Sequence, residues 1–135
     1  FEPEAARLAA QRAEREDLEE MQEVIEKMSE SVKTGELPNS FDLKFHKLIA
    51  RAARNPILEM LSESMLEVAS QVITGLHPST DVLKHVVKRH REVFEAVRDH
   101  NPDLAFAVMS RHIIDVRNRL ARQKGRQPKL RSNKR

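Results

Sequence analysis

The sequence predicts an all-α fold, an antiparallel bundle of about six helices. Three observations carry this. Apolar residues recur at three- and four-residue steps almost throughout. Only three glycines and six widely spaced prolines interrupt the 135 residues. Charged residues make up 33% of the chain and aromatics 4%, a balance that suits helices with solvated outer faces better than a β-sandwich.

The elements follow in order. Ala5, Leu8 and Ala9 share one stripe with Arg12. Leu18, Met21, Ile25, Met28 and Val32 form the next, which Gly35 and Pro38 are expected to end. Asn39 and Ser40 are candidate caps for a helix carrying Phe41, Phe45, Leu48, Ile49 and Ala52. Asn55-Pro56 reads as an N-cap followed by proline at the first helical position, opening a helix with Ile57, Leu58, Leu61, Met65, Leu66 and Val68. Gly75 to Thr80 form a break before a helix from about Asp81 to Arg98. Asn101-Pro102 repeats the cap-and-proline signal, and the last helix runs to about Gln123, with Gly125 and Pro128 expected to stop it. The short loops predict antiparallel neighbours.

Charge divides the chain in two. Lys124, Arg126, Lys129, Arg131, Lys134 and Arg135 give the end six positive charges and no acid, whereas the preceding residues hold 18 basic and 21 acidic side chains, a net of −3. We therefore expect a domain over 1–123 and a basic, disordered tail over 124–135, whose function is solvation or weak phosphate contact. The body offers no broad cationic surface for DNA. No apolar run approaches the ~20 residues that span a bilayer, and no secretory signal pattern opens the chain. With no cysteine, any metal site must use histidine and carboxylate, and a cytoplasmic setting fits.

Helical phase separates the six histidines. His90 falls in the middle of its apolar stripe and His112 near the centre of the stripe formed by Leu104, Val108, Met109, Val116 and Leu120. Asp42 and His46 stand one turn apart on a flank shared with Ile49 and Ala53. His85 points away from its stripe, His77 lies in a break and His100 at a helix end. His90 and His112 are each eleven residues from Asn101, roughly 16 Å along their helices at ~1.5 Å per residue, so antiparallel packing sets them level. Two readings stand. A lone core histidine is usually just hydrogen-bonded, and Asp42 and His46 could be only an i, i+4 pair. Alternatively the four residues form an N₃O set for zinc, nickel, manganese, cobalt or iron, which would also account for an inward aspartate.

At these residues the sequence resembles a known family. Phe1-Glu2-Pro3 with Ala9-Ala10-Gln11-Arg12-Ala13, Asp42-Leu43-Lys44-Phe45-His46, Ala53-Arg54-Asn55-Pro56-Ile57-Leu58, His90 through Val97 and Arg111-His112 resemble, in order, stretches of the FCD domain. That is the effector-binding C-terminal domain of FadR-type GntR transcriptional regulators. The resemblance implies six or seven helices, a divalent metal on Asp42, His46, His90 and His112 (zinc foremost), a small organic-acid effector and a homodimer. The family's winged helix-turn-helix is not among these residues, so we expect a fragment or isolated domain that reaches DNA only through an attached domain. An acid effector needs a cation besides the metal. Arg12, on an inward stripe, and Arg119, seven residues after His112, are the candidates, while Asn55 reads as a cap. A metal-dependent hydrolase and a metal-free dimerisation module are the alternatives. Catalysis is not expected, since the sequence holds no HExxH motif and no nucleophile arrangement.

Overall fold

The computed structural model describes residues 1–73 and 76–126 and contains six helices and no strand among them. They are α1 (Glu2–Arg12), α2 (Arg15–Lys33), α3 (Asn39–Ala52), α4 (Pro56–Ile73), α5 (Thr80–Arg98) and α6 (Pro102–Arg126). Helix α1 packs against α6, α3 and α5; α2 covers α3 and α5; α4 rests mainly on α3. Buried alanines at 5, 6, 9 and 10 let three neighbours approach α1 closely. Around them Met21, Ile25 and Met28 of α2, Phe45 and Ile49 of α3, Val93 and Val97 of α5 and Met109 of α6 complete one core.

The helix ends follow the expected chemistry in most places. Asn55 Oδ1 accepts from the Ile57 and Leu58 amides at 3.1 and 3.3 Å, and Asn101 Oδ1 from Leu104 N at 3.2 Å. Gly35, at φ +82, closes α2 with the paired bonds of a Schellman motif, Glu36 N to Ser31 O and Gly35 N to Val32 O. The end of α5 has the same pattern with His100 in the left-handed position, φ 51, and its Nδ1 donates to Ala10 O at 2.8 Å. His100 thus fastens α5 to the end of α1.

Two boundaries differ from the sequence reading. Helix α3 starts at Asn39 behind Pro38, with no side-chain cap bond. Proline already has the φ that starts a helix, and Asn39 lines a cavity instead. Helix α6 continues through Gly125 to Arg126. A glycine costs a helix only about 1 kcal/mol, too little by itself to stop it. Residues 124–126 are therefore helical where the tail was expected to begin; the rest of that tail lies outside the described residues, as do Thr74 and Gly75. Among the described residues no helix is long and apolar enough to cross a membrane.

Candidate metal centre

Asp42, His46, His90 and His112 converge from α3, α5 and α6, each offering a ligand atom within 4.8 Å of the others. The three imidazoles are buried, at 6%, 1% and 3% exposure, whereas His77, His85 and His100 are exposed, so helical phase sorts the six correctly. The rings of His90 and His112 lie 4.5 Å apart, as the equal distance from the Asn101 turn requires. Phe45 stands edge-on to the rings of His46 and His90 and holds them from behind.

Hydrogen bonds select which nitrogen faces inward. His46 Nδ1 donates to Glu2 Oε2 at 2.6 Å, and His90 Nδ1 donates to the Val86 carbonyl at 2.7 Å. Each Nε2 is thereby turned to the centre. His46 Nε2 is 3.3 Å from Asp42 Oδ1 and 3.3 Å from His112 Nε2, and His90 Nε2 is 2.6 Å from Asp42 Oδ1. Imidazole lone pairs at such distances from each other and from a carboxylate require a positive centre among them, either protons or a metal. Ligands about 2.0–2.1 Å from a zinc ion sit about 3 Å from one another, so these separations fit a divalent ion after small side-chain adjustment. His112 differs from the other two: its Nδ1 is buried without a partner among the described residues.

Electrostatics agree with a site built for positive charge. Burial raises the Asp42 carboxyl, but hydrogen bonds from His46 and His90 outweigh it and hold the group well below its ordinary range. Burial likewise opposes charge on His46, yet the Glu2 and Asp42 carboxylates raise its pKa to about 10. His112 moves the other way, kept neutral first by burial and then by the nearby imidazoles. Because the His46 value is raised, its contribution to stability is complete below the ordinary 6.5 and disappears as pH climbs through about 10. A bound ion would take the place of the His46 proton at neutral pH, so apparent zinc affinity should rise about tenfold per pH unit in this range. Melting curves with and without zinc should therefore diverge between about pH 7 and pH 9. A gap that stays constant contradicts one-for-one displacement.

Glu2, which the sequence reading does not single out, is the outer support of His46. Its own pKa is lowered despite burial, because His46 faces it. Glu2→Gln removes the charge and keeps the shape, and should weaken zinc binding by about 10- to 100-fold in a competition titration. An unchanged affinity would show that Glu2 does not act through His46.

A cleft of about 430 Å³ opens directly onto the cluster and is lined by both Asp42 and His112. Asn39, His77, Ser79, Arg119 and Arg122 give it polar walls, and Leu83, Val86 and Val116 apolar ones. The two candidate arginines separate here. Arg119 lines the cleft, partly buried; burial lowers its pKa, and its side-chain bond is to the Asp115 carbonyl at 3.4 Å. No carboxylate pairs with it among the described residues. Arg12 is exposed, away from the cleft, and donates to Ala53 O at 2.9 Å. Its Cα lies on the inward stripe, but the long side chain runs outward and satisfies a carbonyl at the end of α3.

Comparison with known proteins supports the resemblance. The FCD domain family matches residues 1–115. The chain is similar to the galactonate operon transcriptional repressor of Escherichia coli K12, 26% identical over 105 residues that cover 77% of this chain and 46% of that protein. It is also similar to the transcriptional regulator LutR of Bacillus subtilis 168, 27% identical over 124 residues, covering 86% and 55%. The chain thus spans about half the length of these curated relatives. Both are transcriptional regulators, consistent with the expectation that the chain is not an enzyme. Among solved structures, a GntR protein of Streptococcus agalactiae superposes with a TM-score of 0.70 at 27% identity, over 87% of this chain and 53% of that one. E. coli McbR/YncC shares the fold at 17% identity, with a TM-score of 0.79 over 91% and 60%. With a family match over residues 1–115, most of its length, this chain belongs to the FCD domain family.

Proposed function

We propose that this chain is the effector-sensing, dimer-forming domain of a GntR-type transcriptional regulator, binding a divalent transition metal and a small organic acid. The observation that carries the reading is the convergence of three imidazoles and Asp42 beside a cleft that Asp42 and His112 line and that also presents Arg119. The N₃O donor set suits zinc first, and nickel, manganese, cobalt or iron also satisfy it. A bound ion supplies positive charge and open coordination positions for a carboxylate or hydroxy acid. The protein supplies the rest. Arg119 offers a second cation, Asn39 and Ser79 offer polar groups, and Leu83, Val86 and Val116 exclude water from an aliphatic segment. Arg12, bonded at the end of α3, is left outside this assignment.

Ligand would act by binding one arrangement of the bundle or dimer more tightly than another, biasing the position of an attached DNA-binding domain in the cytoplasm. The test is calorimetry of zinc-loaded chain against a panel of short carboxylates and hydroxy acids. At least one should bind, and Arg119→Ala should weaken it about tenfold or more while leaving zinc affinity unchanged, because a charge-assisted pair contributes about 1.5–3 kcal/mol. If no acid binds the zinc-loaded chain, the sensing reading fails.

A further inference from the structure

Helix α4 carries more apolar surface than its contact with the bundle uses. Leu66 is buried, yet Ile57, Leu61, Met65, Val68 and Val72 are 43–65% exposed. On a helical wheel no charged residue of α4 falls within about 100° of Leu61 on either side. Its three charged residues, Glu59, Glu63 and Glu67, all stand on the opposite half. With Met60, the exposed apolar residues present on the order of 600 Å², the upper end of what a monomer leaves bare.

We propose that this stripe is the contact with a second copy of the chain, two α4 helices crossing antiparallel about a two-fold axis. The spacing of the stripe identifies the occupant. Positions 57, 61, 64, 65, 68 and 72 read the same in both directions about a point between Ser64 and Met65. An antiparallel copy therefore sets Ile57 against Val72, Leu61 against Val68 and Ser64 against Met65, each pair occurring twice, as a two-fold contact demands. The small Ser64 beside the axis lets the helices approach. The glutamates point away from the partner's, so like charges do not meet. Two such surfaces bury at most about 1,200 Å² together, near the lower bound of a specific interface. The inference specifies the contact surface for the dimer in the reading above and rests on it only for the expectation that a dimer exists.

The chain has no cysteine, so single cysteines report the register directly. Under mild oxidation Ser64→Cys should give a covalent dimer. Ile57→Cys alone should not, since the two copies of residue 57 would lie about 22 Å apart along the axis and a disulfide needs Cα atoms within about 7 Å. Ile57→Cys mixed with Val72→Cys should cross-link. In sedimentation, Val68→Glu should weaken the dimer about a hundredfold or more by burying an unpaired charge at the contact. Its helicity and zinc stoichiometry should stay intact, which separates loss of the contact from loss of the fold. A dimer that survives Val68→Glu, with Ser64→Cys uncrosslinked, overturns this face and leaves the dimeric reading standing. A wild-type chain that remains monomeric overturns both, and assigns the stripe to another segment or partner.

Discussion

Replacing His90 by alanine should lower zinc affinity by more than about a hundredfold, since loss of an outer-shell partner alone costs about 10- to 100-fold. His90 is 1% exposed, gives its Nδ1 proton to Val86 and presents Nε2 to Asp42 at 2.6 Å. Its removal takes away one of three nitrogens and leaves an inward carboxylate with a single imidazole neighbour. Wild-type chain at a free zinc concentration about 1,000 times its Kd should gain about 4 kcal/mol from the ion, and the variant should lose nearly all of that. Zinc titration followed by chemical unfolding reads both quantities. A variant that keeps wild-type affinity would show that the histidines are only a hydrogen-bonded core.

Phe45→Ala should be the most damaging change outside the cluster of Asp42, His46, His90 and His112. Phe45 is fully buried, and its ring meets those of His90 and His46 edge-on at 5.0 and 5.9 Å. Truncating a core phenylalanine costs about 3–5 kcal/mol through lost burial and the cavity left behind. The cavity would open directly behind the imidazoles of His46 and His90 and loosen them, so zinc affinity should fall along with stability in urea unfolding. A loss below about 1 kcal/mol would mean that the neighbours collapse into the space, and that Phe45 does not hold the imidazoles in place.

Much of this centre is legible in the sequence because it depends on helical phase and turn position. The stripe places His90 and His112 inward, the Asn101 turn sets them level, and the i, i+4 spacing pairs Asp42 with His46. Other features depend on distances between elements, which a sequence does not encode locally. Glu2 reads as an acid in a first helical turn, and nothing near it announces a histidine 44 residues later. Arg12 and Arg119 both sit near inward stripes, but flexible side chains let one reach a helix end and the other a cleft. His77 and Asn39 line that cleft through loop and helix-start positions that periodicity does not describe. The exposed half of α4 is visible as unbroken apolar spacing, yet only the fold shows that its residues stay exposed among the described helices.

The central claim is that Asp42, His46, His90 and His112 hold one divalent transition metal. Elemental analysis of zinc-equilibrated, desalted chain tests it most directly, with Asp42→Ala beside the wild type. One zinc per wild-type chain and little in the variant are expected. A wild-type chain that retains no zinc, or a variant that retains as much as the wild type, would contradict it.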